Sequence, residues 1–185
     1  AHCIRVDDAD IETLRETRSK VAHCPKSNAK LGHGRAPFAK FLKAGVAVGF
    51  GSDSVASNNT CDILEEARFA VLLSRAGEAN TLITASEALT TATLGGAGCM
   101  DLDGEIGELR EGAQADLVVL SLNGPHQIPN HDTAATAIFA SSGRDVILTV
   151  IAGREVFRDG RVVGVDEERL RARMNEISEK LSAGH

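Results

Sequence analysis

An unbroken apolar run at residues 46–50, Val-Ala-Val-Gly-Phe, is followed at once by Gly51, Ser52, Asp53 and Ser54. A run of small and β-branched residues without polar alternation is typical of a strand that is covered on both faces of a parallel sheet. In parallel α/β folds, ligands and metals bind at the carboxyl ends of the strands. We therefore expect the Asp53 carboxylate to lie at the mouth of such a sheet, pointing at a cavity.

Two upstream segments have the same form, a short stretch that ends in a polar residue. Residues 20–25, Lys-Val-Ala-His-Cys-Pro, place His23 at the end of a predicted strand. Residues 1–3, Ala-His-Cys, have the form of the last residues of another strand, with His2 at its end. Three parallel strand ends would bring His2, His23 and Asp53 to one rim.

The segments between these strands predict helices. Residues 10–18 and 36–45 are amphipathic, and the second has Pro just inside its start and Gly at its end. Strands that alternate with helices are the repeating unit of a (β/α) barrel. We therefore predict an α/β fold for this part of the chain.

The composition excludes several classes of function. The 185 residues are 43% hydrophobic and 25% charged, an ordinary globular composition, and the formal net charge of −6 disfavours binding to nucleic acid. No apolar run approaches the roughly 20 residues of a membrane span, and the first residues do not have the form of a signal peptide. The four cysteines lack CxxC spacing. Reduced thiols and a cytoplasmic location are expected.

Downstream, the sequence predicts two more helices. Residues 61–75 have apolar positions at helical spacing, and a capping box at residues 84–87, Thr-Ala-Ser-Glu, begins a helix through about Leu94. Residues 95–98, Gly-Gly-Ala-Gly, follow that helix rather than begin one. We expect these glycines to end the helix and not to bind phosphate.

The character of the chain changes at Gly107. Short apolar runs separated by glycine turns predict a small β layer, with a hairpin turn at Asp159 and Gly160. From Asp166 as a cap to about Leu181, an amphipathic helix is predicted, and it requires neither a membrane nor a partner.

Four segments resemble successive motifs of the amidohydrolase superfamily: residues 22–28 (Ala-His-Cys-Pro-Lys-Ser-Asn), 51–59 (Gly-Ser-Asp-Ser-Val-Ala-Ser-Asn-Asn), 87–93 (Glu-Ala-Leu-Thr-Thr-Ala-Thr) and 107–119 (Gly-Glu-Leu-Arg-Glu-Gly-Ala-Gln-Ala-Asp-Leu-Val-Val). The chain is most similar to the cytosine-deaminase-like and chlorohydrolase branch, which includes adenosylhomocysteine, methylthioadenosine, aminofutalosine and guanine deaminases. The resemblance implies a distorted (β/α)8 TIM barrel, a small β-sandwich built from both chain ends, and a divalent metal, usually zinc or iron.

The resemblance also implies roles for two residues. Asp53 is similar to the eighth-strand aspartate that binds the metal and shuttles a proton. His2 is similar to the sixth-strand histidine beside the attacking hydroxide, and the interval between the two accommodates two βα units. The family's other metal ligands and its glutamate have no counterpart here, so the chain resembles only the C-terminal part of such an enzyme. A missing N-terminal barrel half or a homo-oligomer is the expected partner.

Three domains follow from this resemblance. We expect residues 1–106 to form the C-terminal part of a metal-dependent barrel. Residues 107–165 would supply β-sandwich strands with a connecting helix, and residues 166–185 would form a C-terminal helix.

The candidate substrate-binding residues are His23, His33 and Ser54. His33 lies between glycines on a connection near the expected pocket, and the loop that begins at Ser54 offers small polar groups. Such groups suit a ligand with hydroxyls and ring nitrogens, and they disfavour polyphosphates. We predict a hydrolytic deaminase of an aminopurine nucleoside or a related small-molecule heterocycle.

Several alternatives remain open on the sequence. Asp53 could be only a helix N-cap, and His2 and His23 could be ordinary histidines at strand ends. The two His-Cys pairs suggest a structural zinc site, but neighbouring residues on a strand face opposite sides, so four ligands could not converge. The same site could instead carry out dechlorination or cyclic-amide hydrolysis. The chain could also be a truncated module without catalytic activity.

Overall fold

The computed structural model describes residues 1–77 and 82–183. These residues form helices and two separate sheets. The helices are α1 (Asp8–Glu16), α2 (Pro25–Lys30), α3 (Phe38–Ala44), α4 (Val55–Asn58), α5 (Ile63–Gly77), α6 (Ala85–Thr90), α7 (Gly96–Cys99), α8 (Thr133–Ala135) and α9 (Glu167–Ser182). The strands are β1 (Lys20–His23), β2 (Ala47–Phe50), β3 (Leu117–Leu120), β4 (Val146–Ile151), β5 (Arg154–Arg158) and β6 (Arg161–Val162).

The first sheet is a parallel pair of β1 and β2, which confirms both predicted strands. Val21 pairs with Val48, and His23 pairs with Phe50 at the carboxyl ends. Val21 and Val48 are buried, whereas Ala47, on the opposite face of β2, is exposed. The expectation that this strand is covered on both faces is therefore wrong, because nothing in the described residues covers Ala47. Because the two strands end level with each other, the loops that follow them begin at the same edge of the sheet.

The strand predicted at residues 1–3 is not observed. His2 and Cys3 have φ values of 68° and 44°, which lie in the left-handed region and are incompatible with extended backbone. The His2 amide nevertheless donates to the carbonyl oxygen of Ala22 at 2.9 Å. His2 is therefore held beside β1 by the backbone, although not as part of a strand.

The helices predicted over residues 10–18, 36–45 and 61–75 are confirmed as α1, α3 and α5, with ends that differ from the prediction by at most two residues. Together with β1 and β2 they enclose the main core. Its largest apolar side chains, each at most 1% exposed, are Phe38, Phe41, Ile138, Val21 and Val71.

The expectation that glycines end the helix after residue 94 is wrong. The chain stays helical through a π-helical turn (Thr91–Gly95) and into α7. A Cβ atom at Gly95 would lie 2.2 Å from the Val48 carbonyl oxygen, and one at Gly49 would lie 2.9 Å from the Gly96 Cα atom. These glycines therefore allow the helix to approach β2 closely.

The second sheet is antiparallel, in the order β3-β4-β5-β6. The predicted hairpin turn is confirmed, because Asp159 and Gly160 connect β5 to β6 with φ values of 47° and 83°, and a type I′ turn needs positive φ at both positions. The Asp166 side chain caps α9 as predicted. The end of the predicted C-terminal segment, residues 184–185, lies outside the described residues. In the described part of the chain, no helix is both long and apolar enough to cross a membrane.

Candidate active site

Asp53 lies in the loop that follows β2, with a left-handed φ of 59°. Its Oδ2 atom accepts a hydrogen bond from the Ser27 hydroxyl at 2.6 Å, and its Oδ1 atom accepts one from the Ser54 amide at 2.7 Å. These two hydrogen bonds hold the pKa of Asp53 below its usual range, and the bond from Ser27 has the larger effect. The carboxylate is thus ionised and fixed in orientation at the edge of the sheet.

The N-cap of α4 is Ser54, not Asp53. The Ser54 hydroxyl oxygen accepts from the Ala56 amide at 3.1 Å, which satisfies one of the free N–H groups of the first turn. A capping role therefore does not account for Asp53. Contact between Ser54 and a substrate stays a prediction, and the hydroxyl that would make it is already engaged as a cap.

His2 lies close to Asp53. Its Nδ1 atom is 2.8 Å from Oδ1 of Asn28, and its Nε2 atom is 4.0 Å from Oδ2 of Asp53. The Asn28 side chain therefore holds Nδ1 of His2, and Nε2 is directed toward the carboxylate. The structure therefore brings together the two residues that the sequence singled out for catalysis.

His23 lies deeper than the other two. It is 3% exposed and stacks on Phe38, with ring centroids 5.1 Å apart, while the Phe50 ring lies 6.1 Å away. Burial, and secondarily the nearby His2, lowers the pKa of His23 to about 4, so the ring is neutral at physiological pH. Its Nδ1 atom has no hydrogen-bond partner within the described residues. A direct contact with substrate stays a prediction for this residue.

His33 is exposed and lies between Gly32 and Gly34, whose φ values are 69° and 104°. Its amide donates to the Asn28 carbonyl oxygen at 2.9 Å. The backbone of His33 is thereby attached to the residue that contacts His2. A role for its imidazole in substrate binding stays a prediction.

Sequence reasoning missed Ser27 and Asn28 as parts of the site. Both lie on α2, and both are 1% exposed although they contact Asp53 and His2. The available signal was Pro25, which favours the first position of a helix and marked the start of α2. Serine and asparagine side chains on this short helix are directed at the edge of the sheet.

The residues present fit part of a metal site. The Asp53 carboxylate is a suitable zinc ligand, whereas zinc sites in proteins have three or four protein ligands. Nowhere in residues 1–77 or 82–183 do three or more His, Cys, Asp or Glu residues form a group that could hold a metal ion. Burial raises the pKa of the Cys24 thiol, which stays protonated near neutral pH. The chain itself thus offers one candidate metal ligand, Asp53, and a neighbouring histidine.

The chain is similar to proteins whose function is known. The chain is 43% identical over 173 residues to the 5-methylthioadenosine/S-adenosylhomocysteine deaminase of Pelotomaculum thermopropionicum. The aligned region covers 93% of this chain but 40% of that relative. The chain therefore spans well under half the length of that protein.

Solved structures give the same result. An adenosine deaminase from Xanthomonas campestris with bound zinc superimposes with a TM-score of 0.94 at 31% identity, covering 98% of this chain and 42% of that one. An atrazine chlorohydrolase from Arthrobacter aurescens complexed with zinc has a TM-score of 0.86 at 30% identity, covering 95% and 39%. Residues 1–156 match the profile of the amidohydrolase family. With its α/β fold and its strand-end aspartate, the chain belongs to the amidohydrolase family.

Proposed function

We propose that this chain is the C-terminal part of a metal-dependent deaminase that acts on an adenine-type nucleoside. The observation that carries the proposal is the Asp53 carboxylate in the loop after β2, which two hydrogen bonds hold in place 4.0 Å from the His2 imidazole. The similarity to a deaminase of methylthioadenosine and adenosylhomocysteine supports the reaction and a substrate with a modified 5′ group.

The residues of the chain divide the chemistry between them. A bound divalent metal, zinc or alternatively iron, would lower the pKa of water and supply hydroxide near neutral pH. Asp53 would bind that metal, take a proton from the attacking water at a carboxylate oxygen, and pass it to the departing amine. Ser27 and the Ser54 amide keep the carboxylate charged and aimed. The His2 imidazole would form a hydrogen bond to the oxygen on which negative charge develops.

We extend the proposal to the rest of the architecture. Residues 1–106 would complete a (β/α)8 barrel together with a missing N-terminal half or a second copy in a homo-oligomer. Residues 107–165 would form one layer of a β-sandwich, and residues 166–185 a terminal helix. His23, His33 and Ser54 would contact the heterocyclic substrate. A cytoplasmic location accords with four cysteines that are all free thiols.

A chimera tests the function directly. The matched segment of the Pelotomaculum thermopropionicum relative is replaced by this chain, and ammonia release is measured from 5′-methylthioadenosine, S-adenosylhomocysteine, guanine and cytosine. We expect release from the two nucleosides and little from the free bases. A folded, metal-loaded chimera that releases ammonia from no nucleoside would refute the proposal, and its Asp53→Asn variant is the matched control.

A second reaction is favoured by one observation, the similarity to the atrazine chlorohydrolase at a TM-score of 0.86. The panel therefore includes atrazine and a cyclic amide. Turnover confined to these compounds would leave the metal site intact and replace deamination by dechlorination or ring opening. If instead the chain were a module without catalytic activity, the chimera would fold without turning over any compound of the panel.

A further inference from the structure

Glu66 on α5 is a carboxylate that the proposed chemistry does not use. Its side chain is 0% exposed in a chain whose other carboxylates are mostly at the surface. Buried carboxylates are costly unless their oxygens are hydrogen-bonded. Both oxygens of Glu66 accept hydrogen bonds from amide groups. These amides belong to the connections that follow β1 and β2, called here the two loops, which include the short helices α2 and α4.

The first contact is with the loop after β1. Oε2 of Glu66 accepts from the Lys26 backbone amide at 3.1 Å. This amide lies in the first turn of α2, where N–H groups have no partner inside the helix. The next residue, Ser27, donates to Asp53. Glu66 therefore holds the end of α2 that places the Ser27 hydroxyl.

The second contact is with the loop after β2. Oε1 of Glu66 accepts from Nδ2 of Asn58 at 2.6 Å, and the same nitrogen donates to the Ser52 carbonyl oxygen at 2.5 Å. Asn58 is 4% exposed, so these bonds are shielded from water. Ser52 immediately precedes Asp53. Through Asn58, Glu66 therefore also fixes the backbone that presents the catalytic carboxylate.

We propose that Glu66 is a positioning residue that holds Asp53 and Ser27 at hydrogen-bonding distance by joining the two loops that carry them. The proposal rests on the proposed function, because it assigns a purpose to the geometry of Asp53. A carboxylate suits this position since it only accepts, and it faces two donors.

The test replaces Glu66 by glutamine. Glu66→Gln keeps the shape but turns one oxygen into a donor, so either the Lys26 amide or the Asn58 amide must lose its acceptor. Glu65→Gln is the matched control: it is adjacent on α5 and removes the same charge. Glu65 instead pairs with the side chains of Lys26 and Thr60, and it is 40% exposed.

In the chimera we expect Glu66→Gln to lower kcat for the nucleoside about tenfold or more, with KM changed much less, while Glu65→Gln leaves both unchanged. Hydrogen exchange gives a readout that does not depend on activity. Exchange should accelerate at least about tenfold in residues 26–28 and 52–58, and stay unchanged at Val21 and Val48.

A purely structural role predicts a different pattern. It would accelerate exchange at Val21 and Val48 as much as in the two loops, and that result would overturn the proposal. Equal kcat values and equal exchange rates for Glu66→Gln and Glu65→Gln would also overturn it. If Glu66→Gln does not fold, Asn58→Ala must show the same local acceleration. An inactive parent chimera would refute the proposed function alone, because the exchange pattern is measured without substrate.

Discussion

A methyl group added at Gly95 should push the helix away from β2 and so disturb the strand that leads to Asp53. Gly95 and Gly96 both have helical backbone, with φ values of −62° and −61°, so alanine fits the conformation at either position. They differ in their surroundings. A Cβ atom at Gly95 would lie 2.2 Å from the Val48 carbonyl oxygen, whereas one at Gly96 would meet nothing within 4 Å.

The magnitudes follow from these distances. Glycine to alanine inside a helix normally stabilises by about 0.5–1 kcal/mol, which is the effect expected for Gly96→Ala. At Gly95 the same gain is outweighed, because the neighbouring atom belongs to the backbone and cannot rotate away. Overpacking of this kind costs about 1–3 kcal/mol. The two variants should therefore differ by about 2 kcal/mol in the free energy of unfolding.

Urea unfolding of the chimera and its two alanine variants measures this difference. Gly95→Ala should shift the midpoint to lower urea and also reduce kcat, because Val48 lies on β2 ahead of Asp53. Gly96→Ala should shift it slightly to higher urea and leave kcat unchanged. Equal midpoints for Gly95→Ala and Gly96→Ala would refute the close helix–strand contact as the reason for the glycine.

Three substitutions at the site give further expectations, each measured in the chimera. Asp53→Asn removes the carboxylate that would bind metal and move the proton, so the rate of ammonia release should fall at least about a thousandfold; near-normal activity would contradict its role. His2→Asn should lower kcat but retain the metal, as measured by elemental analysis; metal loss would make His2 a ligand. Ser27→Ala removes the main cause of the low pKa of Asp53, so that pKa should rise in the metal-free chimera, as measured by NMR titration of the carboxyl carbon; an unchanged pKa would contradict the role of Ser27.

Local sequence signals predicted much of the fold. The apolar run before Asp53 has no polar alternation and predicted β2 as a strand, although Ala47 on one face of that strand is exposed. The hairpin at Asp159 and Gly160 depends on two residues that tolerate positive φ, which is a property of the residues themselves. Such features are decided within a few positions of the chain, so they can be read without the structure.

Contacts between distant segments could not be predicted in this way. From the sequence alone Gly95 predicts the end of a helix, because glycine is the signal both for a helix C-terminus and for close packing. Which one applies depends on Val48, far away in the sequence. Likewise Ser27 and Glu66 contribute to the site only because the parallel strands β1 and β2 bring the loops that follow them together. Neither residue has a local signature that separates it from a surface residue.

The buried imidazole of His23 should make stability depend on pH. Its pKa is lowered from the ordinary value of 6.5 to about 4, chiefly by burial, so between these values the unfolded chain binds a proton that the folded chain does not. The contribution of His23 to the free energy of unfolding should therefore be fully present above pH 6.5 and should be lost as the pH falls to 4. The loss should be at most about 1.4 kcal/mol per pH unit and about 3 kcal/mol in total.

His23→Phe isolates this contribution, because a phenyl ring can still stack on Phe38 but cannot bind a proton. The added volume has a cost that does not change with pH, so the slope of unfolding free energy against pH is the quantity to compare. Urea midpoints of the chimera at several values between pH 4 and 6.5 should fall less steeply for the variant. Equal slopes would mean that the folded protein protonates His23 as readily as the unfolded chain does. The ring would then have to reach solvent or a carboxylate rather than lie between Phe38 and Phe50.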